Sequence, residues 1–72
     1  MEVKTEYRNY SLSRKELEIL RRIASGQTSQ QIADAMCLSL PTIKWYRKQL
    51  RTKFGADSTI HLIRLALENK LL

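Results

Sequence analysis

Lys44, Arg47, Lys48, Arg51 and Lys53 fall in one stretch, S-L-P-T-I-K-W-Y-R-K-Q-L-R-T-K-F-G from Ser39 to Gly55, which holds no acidic residue. They are five of the chain's 13 basic residues. The rest of the chain sets eight basic residues against seven acidic ones, so the net charge of +6 is concentrated here. Clustered ammonium and guanidinium groups without acids neutralise a polyanion, and nucleic acid comes first among polyanions. Catalytic chemistry has much poorer material. The chain holds one histidine, His61, and one cysteine, Cys37, and lacks a Gly-rich phosphate loop. Cys37 has no neighbouring base or activating motif, and a lone His lacks companions for a metal. The acids are scattered, so no paired-carboxylate site forms. No enzyme, metal site or cofactor is expected.

The element that must position these cations is a helix. Ser39 is a good N-cap, and Pro41 is tolerated in a first turn whose N–H groups have no internal partner. Ile43, Tyr46, Leu50 and Phe54 then recur at three- and four-residue steps and make one apolar stripe. Lys44, Trp45, Lys48 and Thr52 fall on the opposite side, with Arg51 at its edge. Such a cationic face suits a DNA major groove.

The supporting elements read as three more helices. Ser13 and Glu16 form an S-x-x-E capping box, with Leu12 and Leu17 placed as a hydrophobic staple. Leu17, Leu20, Ile23 and Ala24 make the buried stripe, and Gly26 is placed to cap the C-terminus. Thr28 and Gln31 repeat the capping pattern before a short helix that buries Ile32, Ala33 and Met36. Small Ala33 lets the next helix approach closely. Only Cys37 and Leu38 separate Met36 from Ser39, a tight turn with Leu38 inward, which completes a helix-turn-helix arrangement. After Gly55, Asp57 or Ser58 caps a last helix. Leu62, Ile63 and Ala66 face the core, while Ile60, Leu67 and Leu71 flank Arg64 on another side. A helix apolar on more than one face needs a second partner, here read as a second copy of the chain.

The expected fold is therefore all-α, with helices near 13–25, 29–36, 40–54 and 58–69. Residues 1–10 are an N-terminal arm or linker end, in which Val3, Thr5 and Tyr7 alternate and Tyr10 folds back over the first helix. Residues 11–72 are one domain. At 72 residues the chain buries only about 60% of its unfolded surface, so its stability is a few kcal/mol and sensitive to core truncation. Two glycines and one proline leave little room for a turn-rich β fold, and the single cysteine suits a reducing cytoplasm. No segment approaches the ~18 continuous apolar residues of a membrane span, and Met1–Tyr10 lacks the apolar core expected of a signal peptide.

L-S-R-K-E-L-E-I-L, then G-Q-T-S-Q-Q-I-A, L-S-L-P-T-I-K-W-Y and K-F-G-A, in this order and spacing, closely resemble the LuxR/NarL-type helix-turn-helix over Leu12 to Leu72. That four-helix domain is the DNA-binding end of many bacterial response regulators and quorum-sensing regulators. The resemblance implies that Lys44, Trp45 and Lys48 face base edges. It also implies that Thr42, Arg47 and Lys53 hold phosphates together with Thr28, Ser29 and Gln30 at the N-terminus of the second helix; Arg51, at the edge of the basic strip, joins them. The last helix, through Ile60, Arg64, Leu67 and Leu71, is then the dimer contact. The chain departs from the family pattern at Trp45, where small or polar residues are frequent, and at Tyr46, where His is frequent. It also departs at Thr59, where Arg is usual, and at Lys70, where Gly is usual and whose change predicts a different C-terminal ending.

The expected function is sequence-specific binding of double-stranded DNA by a bacterial, cytoplasmic transcriptional regulator or its DNA-binding domain, as a homodimer on inverted repeats. RNA polymerase is a further partner to consider. Rival readings are a sigma-factor region-4-like module that docks on polymerase, and a basic module that meets an acidic protein. Membrane-surface binding fares worse, because Ile43, Leu50 and Phe54 are needed for the core.

Overall fold

The computed structural model describes residues 11–72; the expectations for the N-terminal arm, Tyr10 included, lie outside the described residues. Four helices follow in order: α1 (Arg14–Ala24), α2 (Ser29–Met36), α3 (Leu40–Phe54) and α4 (Thr59–Glu68). No strand occurs among the described residues. The two inner helices have the expected bounds. The outer two are one residue shorter at each end, because Ser13, Ser25, Ser58 and Asn69 are the caps.

Every helix starts on a hydroxyl that satisfies an orphan amide. Ser13 Oγ accepts from the Glu16 N–H at 3.0 Å while Glu16 Oε1 accepts from the Ser13 N–H at 2.9 Å. Thr28 and Gln31 repeat this reciprocal box at 3.1 and 2.8 Å. Ser39 caps α3 through the Thr42 N–H, and Ser58, not Asp57, caps α4 through the His61 N–H.

Every helix also ends the same way. The chain turns through a left-handed residue, and the next amide reaches back over the last turn, as in the Schellman motif. Gln27 N–H bonds to Arg22 O, Leu38 to Ala33 O, Ala56 to Arg51 O and Leu71 to Ala66 O, at 2.8 to 3.1 Å. Two of the left-handed residues are Gly26 and Gly55; the other two are Cys37 (φ 56°) and Lys70 (φ 59°). Lys70 therefore does not give the different ending expected of it. It makes the glycine's turn with a side chain attached, at a steric cost.

Ile19, Leu20, Ile23, Ile32, Ala33, Ile43, Leu50, Phe54, Leu62 and Ala66 form one core, with no buried polar residue among those described. Helix α3 packs on each of the other three, most extensively on α2, where Ala33 is buried between them. The α1 stripe is shifted from the expected one. Ile19 is fully buried, whereas Leu17 and Ala24 sit half-buried at the margin. Because α1 touches α2, α3 and α4, it buries a wider arc than a single stripe. The expected inward residues Met36, Leu38, Tyr46 and Ile63 pack against the core from its edge. Among the described residues no helix is long and apolar enough to cross a membrane.

Candidate nucleic-acid interface

With Ile43, Leu50 and Phe54 turned into the core, the helical repeat of about 100° per residue dictates what α3 shows outside. Lys44, Trp45, Lys48 and Thr52 are exposed, and Arg47 and Arg51 are half-buried along one flank. Trp45 keeps 56% of its surface open. It is steadied by Tyr46, whose ring meets it edge-on at 5.1 Å between centroids and 77° between planes. The indole is thus an exposed apolar plate in the middle of a cationic strip.

The five cations of α3 divide into two groups. Lys44, Lys48 and Arg51 form no ion pair with any carboxylate among the described residues. The other two are tied to neighbouring helices. Lys53 Nζ donates to Glu16 Oε1 at 2.9 Å, to Glu16 Oε2 at 3.0 Å and to the Ser11 carbonyl at 2.9 Å. Partial burial pushes the Glu16 carboxyl up, but Lys53 and the Ser13 cap outweigh it and hold the group below its ordinary value. Arg47 Nη2 donates to Thr59 Oγ1 of α4 at 3.1 Å. Partial burial, followed by the like charge of Arg51, weakens the hold of Arg47 on its proton, yet a guanidinium stays charged.

So α3 is braced on both flanks, by Glu16 of α1 and Thr59 of α4, with the free cations between the braces. Nothing in residue spacing pointed to Glu16 or Thr59 as partners of α3; each lies far from its cation in the chain. Lys53, expected among the phosphate contacts, carries an ion pair in the free protein. Its ammonium is engaged on the α1 side, and reaching a phosphate would mean leaving Glu16.

The N-terminus of α2 supplies donors of another kind. Thr28 Oγ1 is occupied as acceptor for the Gln31 amide, and the Gln30 side chain donates to Asp34 at 2.9 Å. The amides of Ser29 and Gln30, as the first of the helix, have no intrahelical partner. The first turn of α2 contains no acid, so its positive dipole end is left for an external anion. The Thr42 hydroxyl shares a 2.8 Å hydrogen bond with that of Ser39.

On α4, Ile60 and Leu67 are 80% and 57% exposed, with Arg64 exposed between them. Leu71 does not join them. The left-handed turn at Lys70 reverses the chain after α4, and Leu71 folds back half-buried against the core. An extrapolated helix would have carried it outward. Cys37 is exposed in the turn before α3. His61 is half-buried, and its Nδ1 accepts from the Asp57 N–H at 3.0 Å, a local tie at the start of α4. No group of three or more His, Cys, Asp or Glu among the described residues could hold a metal.

The family described as bacterial regulatory proteins, luxR family, matches residues 10–66. The chain is similar to the virulence-factor positive transcription regulator BvgA of Bordetella pertussis. The two are 42% identical over 60 residues, 83% of this chain and 29% of BvgA. It is also similar to the oxygen regulatory protein NreC of Staphylococcus aureus, 39% identical over 61 residues, 85% of this chain and 28% of that protein. Among solved structures, a complex of Vibrio cholerae VqmA with ligand and DNA superposes with a TM-score of 0.80 at 39% identity, over 85% of this chain and 27% of VqmA. The VqmA dimer solved without target DNA gives 0.85 at 38% identity, over 89% and 29%. The chain thus spans less than a third of the length of each of these relatives.

Proposed function

The chain belongs to the luxR family of bacterial regulatory proteins, and from that membership we propose that it binds double-stranded DNA in the cytoplasm with α3 in the major groove. One observation carries the reading: the outward face of α3 holds Lys44, Lys48 and Arg51 around an exposed indole, with no carboxylate of the described residues paired to them. Exposed lysines on a face with no other task are usually interspersed with acids. These are not.

Lys44, Trp45 and Lys48 read base edges. A lysine ammonium donates to the guanine O6 and N7 acceptors, and an indole packs on a thymine methyl or the sugar edge. Arg47, Arg51 and Thr42 hold phosphates on one side of the groove, while Thr28, Ser29 and Gln30 present the amide end of α2 to another. Lys53 contributes to this field from the far flank while tied to Glu16. Phosphate contacts set affinity and its salt dependence; the base contacts carry the sequence preference. With about three to five phosphate contacts per subunit, log affinity falls against log salt with a slope of roughly −3 to −4.5.

Ile60, Arg64 and Leu67 form the contact with a second copy. Two subunits related by a two-fold axis then present their recognition helices about 34 Å apart, on an inverted repeat. The similar protein VqmA has been solved both with DNA and as a dimer, which supports extending both properties to this chain. Selection of bound duplexes from a random pool tests the reading, because it reports preference, symmetry and spacing together. An enriched inverted repeat is the expected result. Uptake of an acidic polypeptide as readily as duplex DNA at low salt would instead make this a basic protein-interaction module.

A further inference from the structure

Arg47 is held in an arrangement that its charge alone does not explain. It is half-buried, its partial burial and the neighbouring Arg51 both disfavour its charged form, and no described carboxylate pairs with it. A guanidinium placed so, with a like charge beside it and no counter-charge, gains from any anion brought to it from outside. Its one side-chain partner among the described residues is neutral, the Thr59 hydroxyl at 3.1 Å.

Thr59 is well made to aim a side chain. It is the first residue of α4 and half-buried. Its backbone is set by the Ser58 cap, in which Ser58 Oγ accepts the His61 N–H at 3.1 Å. Being β-branched, it has few rotamers. An acceptor fixed in this way takes one N–H of the guanidinium and sets the plane of the rest. Without it, a long and rotamer-rich side chain must be ordered at the moment of binding.

We propose that Thr59 is a positioning residue for DNA binding: it pre-orients the Arg47 guanidinium at the edge of the α3 face so that the remaining N–H donors meet a backbone phosphate. The recognition helix is thereby served by the first turn of α4, the helix whose next residue, Ile60, stands on the exposed apolar face. This inference rests on the DNA-binding reading above, and its test separates the two.

Binding of the full chain to a random-sequence duplex is titrated by fluorescence anisotropy across a salt series, for the unaltered protein, Thr59→Val, Thr59→Ser, Arg47→Ala and the Arg47→Ala/Thr59→Val pair. Thermal melts accompany each to verify folding. Thr59→Val, which keeps the shape and removes the acceptor, weakens binding about three- to tenfold and lowers the magnitude of the salt slope by up to ~0.9 per subunit. Thr59→Ser restores both. In the Arg47→Ala background, Thr59→Val changes little further. A folded Thr59→Val protein with unaltered affinity and slope overturns the proposal, and so does a loss that simply multiplies with that of Arg47→Ala. Failure of the unaltered chain to take up duplex DNA in a salt-sensitive way would overturn the DNA-binding reading itself, before any substitution is considered.

Discussion

Lys48→Ala separates base reading from charge, and the structure allows its size to be worked out. Lys48 is exposed on the outward face of α3, with no ion pair or side-chain hydrogen bond among the described residues. Truncating it therefore breaks no described polar contact in the free protein, and its effect falls on the complex. If its ammonium donates to a base edge, the loss on the preferred sequence is ~1–3 kcal/mol per subunit, about 5- to 150-fold. Random-sequence DNA should lose much less, and the salt slope on it should barely change. If Lys48 instead touches a phosphate, about 0.9 of a counterion is involved per contact. Between ~1 M and ~0.15 M salt that is worth about fivefold, lost equally on both kinds of DNA, with the slope falling by the same ~0.9. The assay is anisotropy titration on a selected duplex and a scrambled one, each at several salt concentrations. Equal losses on the two duplexes with a reduced slope would refute the base-reading role of Lys48.

The Lys53–Glu16 tie makes stability depend on pH. The Glu16 carboxyl lies below its ordinary value when folded, so its contribution is fully present above the unfolded value and is lost as pH falls through the folded one; Tm measured from pH 7 down to pH 3 should show this fall, and Glu16→Gln should flatten it. Replacing Lys70 or Cys37 by glycine relieves a left-handed residue whose side chain is exposed, and each change should stabilise by up to about 1 kcal/mol, a Tm rise of several degrees. Ile60→Asp and Leu67→Asp should abolish self-association in analytical ultracentrifugation while leaving the monomer folded. Leu71→Ala should do the opposite, lowering Tm through lost core packing without changing the association constant.

Local chemistry made most of the fold legible in the residues. Ser13 with Glu16, Thr28 with Gln31, and Ser39 with Pro41 set helix starts that no distant contact could easily override, and the periodic Ile43, Leu50 and Phe54 dictated which side of α3 faces water. Once that stripe was inward, Lys44, Trp45 and Lys48 had to be outward, so the exposed face of α3 followed from a 3.6-residue repeat. Three things needed the assembled molecule. Ile19 is buried because α1 meets three helices at once, which no single-helix pattern encodes. Leu71 turns back to the core because Lys70 accepts a left-handed conformation, a choice decided by the packing of the residue after it and not by propensity. Most telling, Lys53 and Arg47 looked like their neighbours in the basic run. Pairing with Glu16 and Thr59 is a matter of which helices lie on either flank of α3, and only the tertiary arrangement brings those distant residues within hydrogen-bonding reach.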